Sequence, residues 1–220
     1  MGEPYNRFTG QSLERLTALN DGLFAVAMTL LVLDLRVPVS IAGPAYSEHG
    51  LWGALLKLGP SFAAYLLSFT MLGTFWLAQH TLLSILGRCD RTLTWINLGF
   101  LFVVSLLPFS AALLAHYVHL RLAVGVYWLN ILMLGAALEW GARYGRKAFM
   151  PEDARQARSR LTTFRRRILL AQTLYALAAL ICLFSTQASV SALAIVQLYF
   201  IISPRLPRTG RKRPDGSQDQ

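Results

Sequence analysis

The sequence predicts an all-α membrane protein with six transmembrane helices per subunit, and three observations predict it. Only 15% of the 220 residues are charged, while 55% are hydrophobic; a soluble domain carries about a quarter charged residues. Long charge-free runs recur: residues 58–87, 92–120, 122–138 and 168–204 contain no Asp, Glu, Lys or Arg. A helix needs about 20 apolar residues to cross ~30 Å of hydrocarbon, and a soluble core rarely requires several such runs in series. Finally, basic residues alternate between loops. Of the 21 Lys and Arg, all but Arg36, Lys57 and Arg121 fall on one side of the predicted topology. That side is predicted to be cytoplasmic, with both termini on it, as expected for a multi-pass protein of the inner (plasma) membrane.

The elements follow in order. Residues 1–12 are predicted as a cytoplasmic N-terminus, with no cleavable signal. Helix one is placed at 13–37, broken by Pro38 and the Gly43-Pro44 pair. Helix two covers 60–86, with Pro60 near its first turn, where a missing N–H costs least. After the short loop 87–91, helix three covers 92–115 and contains Pro108, which predicts a kink or an end. Helix four covers 121–142. The charged segment 143–167 reads as an exposed, partly helical loop. Residues 168–204 are too long for one crossing, and Ser185-Thr186-Gln187-Ala188-Ser189 near the middle predicts a tight hairpin. Helix five is placed at 166–184 and helix six at 188–203. The membrane domain is thus 13–203, and 204–220 is a basic tail whose Pro, Gly and Ser content predicts disorder.

The net charge of +10 raises nucleic acid as a partner. The basic residues sit instead at the ends of apolar runs, where topology and anionic headgroups account for them, so no nucleic acid is expected. Cys89 and Cys182 form neither a disulfide framework nor a metal spacing. His49, His80, His116 and His119 are scattered; His116 and His119 read as a loop-end pair. No Ser or Cys has a plausible His/Asp arrangement. No metal, cofactor or enzymatic activity is expected.

Helix one differs from the others. Its charge-free stretch, 22–33, is only 12 residues, roughly 18 Å of helix. Asp21 closes one end, and Asp34 and Arg36 close the other. Carboxylates at such depth usually face protein or a water-filled cavity, which predicts a helix inside an assembly; a short helix with its ends among headgroups is the alternative. Leu19, Val26, Leu30 and Leu33 share one narrow stripe at 100° per residue, bordered by Thr29. Copies of this helix around an axis would stack apolar rings and form a constriction that gates by dewetting. On periodicity alone, a plain packing seam is the favoured reading. Asp34, near the outer end, would raise local cation concentration.

The run from Arg15 through Leu19-Asn20-Asp21-Gly-Leu-Phe-Ala-Val-Ala-Met-Thr-Leu-Leu-Val-Leu-Asp34 resembles the first helix of the bacterial transmembrane protein 175 family, relatives of the endosomal and lysosomal potassium channel. The resemblance continues through residues 65–69, Phe75-Trp76-Leu77-Ala78-Gln79-His80, Trp95-Ile96-Asn97-Leu98 and Leu106-Leu107-Pro108-Phe109. It implies a potassium-permeable channel, open to other monovalent cations, assembled as a homotetramer in the lipid bilayer with helix one lining the central pore. The matching constriction positions are Val26, Leu30 and Leu33, with Thr29 beside them. Potassium would be favoured modestly, because K+ sheds water more readily than Na+ at apolar rings. The family's Arg-x-x-x-Phe-Ser-Asp signature implies a polar network joining helix one to helices two and three, at Arg15, Leu19, Asn20, Asp21, Trp76, His80 and Asn97. Leu19 stands where the family has Phe, Asn20 where it has Ser, and Val26 where Ile or Leu is frequent. Two other classes are weighed against a channel. A secondary transporter would be expected to show an inverted repeat and paired broken helices, and neither is evident. A non-conducting scaffold is the other.

Overall fold

A computed structural model describes residues 4–37, 48–150 and 154–202. The basic tail 204–220 lies outside the described residues, and so do residues 38–47. The described chain forms eight α-helices and one 3-10 turn: α1 Pro4–Val32, α2 Glu48–Lys57, α3 Gly59–Leu86, α4 Arg91–Ser105, α5 Leu107–His116, α6 Arg121–Phe149, α7 Arg155–Leu180, the 3-10 turn Ile181–Leu183, and α8 Thr186–Ile202.

Five segments are long and apolar enough to cross a membrane: Leu13–Val32, Gly59–Leu86, α4 with α5 as Arg91–His116, Arg121–Phe149, and Arg155–Leu183. The chain is a multi-pass membrane protein. α8 is apolar but has 17 residues, about 25 Å of helix. It is the element that separates five spans from six.

Local chemistry explains the boundaries. Pro60 lies in the first turn of α3. Gly87 ends the helix in the left-handed region at φ 61° and donates its N–H to the Leu83 carbonyl, a conformation glycine adopts without a Cβ penalty. Asp90 then caps α4, accepting from the Leu93 N–H at 2.7 Å. Its other carboxylate oxygen accepts from the Tyr144 hydroxyl, which ties this loop to α6. Pro108 sits in the first turn of α5. Lacking an N–H, it interrupts the helical bonding, so the predicted helix three is two helices meeting at Leu106.

Several boundaries differ from those read in the sequence. α1 starts at Pro4 and ends at Val32 rather than spanning 13–37. Residues 33–36 close as turns, Leu35 N–H to Val32 O and Arg36 N–H to Asp34 O. α2 occupies residues read as a connection. It buries none of its side chains, and Glu48 and Lys57 complement the dipole at its two ends. The charged segment 143–167 is mostly helical: α6 runs on through Phe149, and α7 begins at Arg155. Leu161, Phe164 and Ile168 pack inward while Arg155, Arg160, Arg166 and Arg167 face out, so a single amphipathic helix serves both the bundle and the aqueous side.

α3 lies at the centre of the bundle, packed against α1, α5, α6, α7 and α8. Met71, Leu72, Val104, Leu107, Leu114, Val124, Tyr127, Ile131 and Leu134 are wholly buried. α1 rests on α3, α4 and α5, with the Phe24 and Phe100 rings 5.9 Å apart.

Candidate functional site on α1 and its polar supports

α1 presents two faces. Leu16, Asn20, Phe24, Ala27 and Leu31 recur every three or four residues and are buried against the subunit. The apolar stripe points the other way. Val26, Leu30 and Leu33 are 56%, 45% and 69% exposed, and Leu19 is exposed beside them. Thr29 is exposed too, but its hydroxyl donates to the Val26 carbonyl at 2.8 Å. Ala18, Gly22, Ala25 and Thr29 form an exposed ridge of small residues next to the stripe.

Behind α1, three amides meet in the interior. Asn97 on α4 donates to Asn20 Oδ1 at 2.8 Å, and its own oxygen accepts from Asn20 Nδ2 at 3.3 Å and from Gln79 Nε2. All three residues are under 5% exposed. Gln79 lies inside a quoted motif but was not foreseen as a network member; its signal was an uncharged amide within the apolar run of α3. The triad fastens α1, α3 and α4 together at one level.

The other signature residues lie at the subunit surface. Asp21 is exposed rather than enclosed within the bundle, and it accepts from the Trp76 indole at 2.7 Å. His80 makes no bond to Asp21; it stacks on Trp76 with centroids 5.9 Å apart. Arg15 is exposed and has no partner among the described residues. A polar network through all seven positions is therefore replaced by a buried triad, Asn20–Gln79–Asn97, and a surface pair, Asp21–Trp76. The reason is angular: Asn20 falls on the buried face of α1, and its neighbours Leu19 and Asp21 are each turned 100° from it.

At the other end of α1, Asp34 is only a quarter exposed and lies 3.7 Å from His116 Nδ1. It borders a small cleft with Leu31, Tyr65 and Pro108, so it faces α5. A second polar layer binds α7 and α8 to the centre. Tyr175 donates to Gln197 Oε1 at 2.5 Å, and Gln197 Nε2 donates to Thr74 Oγ1 at 2.7 Å. No group of three potential metal ligands occurs among the described residues.

With this geometry in view, the comparisons with known proteins locate the chain. Residues 15–108 match the family described as the endosomal/lysosomal potassium channel TMEM175, a segment that holds the stripe, the triad and the Asp21–Trp76 pair. Over this segment the chain is similar to the TMEM175 family. The family is described as one of channels, not enzymes. A protein of Streptomyces collinus named a potassium channel is 40% identical over 132 residues, 58% of this chain and 61% of that protein. One of Chamaesiphon minutus, also named a potassium channel, is 38% identical over 116 residues, 51% of this chain and 56% of that protein. The matched segments thus span about three-fifths of these relatives. The fold is similar to the crystal structure of a lysosomal potassium-selective channel TMEM175 homolog from Chamaesiphon minutus, with TM-score 0.75 and 28% identity over 87% of this chain and 97% of that one.

Proposed function

We propose that the protein is a potassium-permeable cation channel, a homotetramer of six-span subunits in which α1 from each copy lines a central pore. The carrying observation is the outward stripe of α1. Val26, Leu30 and Leu33 stand exposed on the subunit surface, on the side away from the face that α1 buries against its own bundle. In water, such a stripe calls for a partner; in a bilayer, lipid would suffice for the leucines alone. The neighbouring residues favour another copy. Arg15 and Asp21 are exposed on the same half of the helix, and hydrocarbon disfavours each by kilocalories. The ridge Ala18, Gly22, Ala25 and Thr29 permits close helix approach. Four stripes around one axis would stack rings at Val26, Leu30 and Leu33 and gate ion flow by dewetting.

In this reading α8 is the sixth crossing, both termini are cytoplasmic and the membrane is the bacterial inner membrane, as the one-sided Lys and Arg distribution supports. The buried amide triad is a positioning device: it sets how far α1 leans from α3 and α4, and so the pore radius. The bacterial relatives and the structural neighbour, all named as potassium channels, support the choice of ion.

The test is flux into liposomes with K+ or Na+ as the only cation, alongside Val26→Asn and a mass measurement of the purified complex. K+ flux above Na+ flux, a raised flux in the variant and a four-subunit mass are expected. Unchanged flux in Val26→Asn would remove the apolar constriction. Saturable flux coupled to a second solute would replace the channel with a transporter.

A further inference from the structure

We infer that a cleft at the C-terminal end of α1 binds one monovalent cation, Na+ or K+, through the Asp34 carboxylate, the Leu31 carbonyl and the hydroxyls of Ser61 and Tyr65. The inference goes beyond ion conduction and does not depend on it. The bound ion fastens the end of α1 to α3 and α5.

Three helices meet there. Leu31 and Asp34 line the cleft from the end of α1, Ser61 and Tyr65 from the first turns of α3, and Ala112 from α5. Its volume is about 10 Å³, room for one water-sized body. The oxygens around it lack partners. α1 unwinds here: the Leu33 N–H goes to Leu30 O at 3.2 Å and the Leu35 N–H to Val32 O at 3.0 Å, which passes over the Leu31 carbonyl. Ser61 and Tyr65 are four residues apart on one face of α3, and neither hydroxyl has a hydrogen bond among the described residues. Asp34 is only a quarter exposed, and His116 Nδ1, at 3.7 Å, is beyond hydrogen-bond reach of it. That nitrogen lies 2.9 Å from the Ala112 carbonyl instead.

The electrostatics select the charge of the ligand. α1 and α5 both end at the cleft, each contributing about half a negative charge, and Asp34 adds a full one. Arg36 and Arg121, which follow Asp34 and His116 in the chain, are exposed and make no ion pair among the described residues. Residues 38–47, outside the described set, contain no Asp, Glu, Lys, Arg or His, so none of them alters this balance. A water molecule would fill the space but leave the carboxylate charge unanswered. Ca2+ and Mg2+ call for about six or more ligands, and the cleft offers a single carboxylate, so a monovalent ion fits the charge. Unwound carbonyls at helix C-terminal ends hold such ions in membrane transporters.

The experiment is thermal unfolding of the full chain in detergent, in NaCl, KCl or N-methylglucamine chloride at one ionic strength. Na+ or K+ should raise the melting temperature saturably, by a few degrees, over N-methylglucamine, which is too large for the cleft; the two arms identify the ion. Asp34→Asn should abolish the response. Ser61→Ala and Tyr65→Phe should each raise the half-saturating concentration about fivefold. Tyr65→Phe keeps the ring that packs beside Phe62 and Phe69, so the fold is retained. Equal melting in all three salts would overturn the inference and leave water in the cleft. Unchanged half-saturation in both hydroxyl variants would also overturn it, because an ion held elsewhere, on a pore axis included, answers to neither hydroxyl. Saturation by Ca2+ with no response to Na+ or K+ would remove the monovalent assignment. Melting is read without flux, so this result is separate from that of the liposome test.

Discussion

Replacing Asn97 by leucine isolates the contribution of the buried amide triad. Asn97 accepts from both Asn20 and Gln79 and donates to Asn20. Asn97→Leu therefore strands both amides where water does not reach, since Asn20 is 3% and Gln79 4% exposed. A buried polar group left unpaired costs about 1–3 kcal/mol, while interhelical hydrogen bonds within membranes average nearer 0.6 kcal/mol. Two stranded amides should then cost about 2–4 kcal/mol. At about 2–4 °C per kcal/mol for a chain of this size, the melting temperature should fall by several degrees or more. Asn20→Leu should cost about 1 kcal/mol, because the Asn97 oxygen keeps Gln79 and only one amide group loses its partner. The double variant should be more stable than Asn97→Leu alone, since it strands only Gln79. The assay is heating in detergent with a thiol-reactive fluorophore, which reads the exposure of Cys89 and Cys182, both free and buried. Equal losses for the two single variants, or a double variant showing their plain sum, would refute the triad as the link between α1 and its neighbours.

Three other sites are open to stability measurements, the first two by the same assay. Arg165→Leu should cost about 2 kcal/mol by leaving Glu139 poorly paired, and Arg143→Leu under about 0.5, because Arg143 is 63% exposed and Arg165 only 18%; matching losses would contradict this. Gly145→Ala should destabilise by about 1–3 kcal/mol, because its Cβ would come within 2.4 Å of the Leu86 side chain. Gly141→Ala should be neutral or mildly stabilising, since its nearest neighbour would be at 3.4 Å, an ordinary contact. Burial pushes the Cys89 thiol above its ordinary value of 9.0. Below 9.0 both folded and unfolded chains hold that proton; above it the unfolded chain loses it first, so stability falls as pH rises through the folded value. Unfolding followed by tryptophan emission should show a steeper fall above pH 9 for the parent protein than for Cys89→Ala.

The α1 stripe was legible because helical geometry fixes which residues share a line, whatever the helix packs on. The family resemblance, and not helical spacing, pointed to Asn20 and Asn97 as network positions. It could not pair them with Gln79, because the partner depends on how α1, α3 and α4 rotate against one another. Asp21 illustrates the limit: its depth in the sequence predicted enclosure, yet the rotation of α1 leaves it at the subunit surface beside Trp76. The segment 143–167 reads as an exposed, partly helical loop because it is the most charged part of the chain and holds Pro151, Glu152 and Asp153. Charge does not prevent a helix from running on past the hydrocarbon, and α6 and α7 do extend.

The sequence by itself determined the environment, a multi-pass membrane protein. Charge-free runs of membrane length and one-sided basic loops follow from the cost of moving charge through hydrocarbon, a property of composition alone. The tertiary structure decided which face of each helix is spoken for. It alone showed that α1 buries Phe24 and Asn20 while leaving Val26, Leu30 and Leu33 free, because burial belongs to the packed arrangement of helices and not to any one of them.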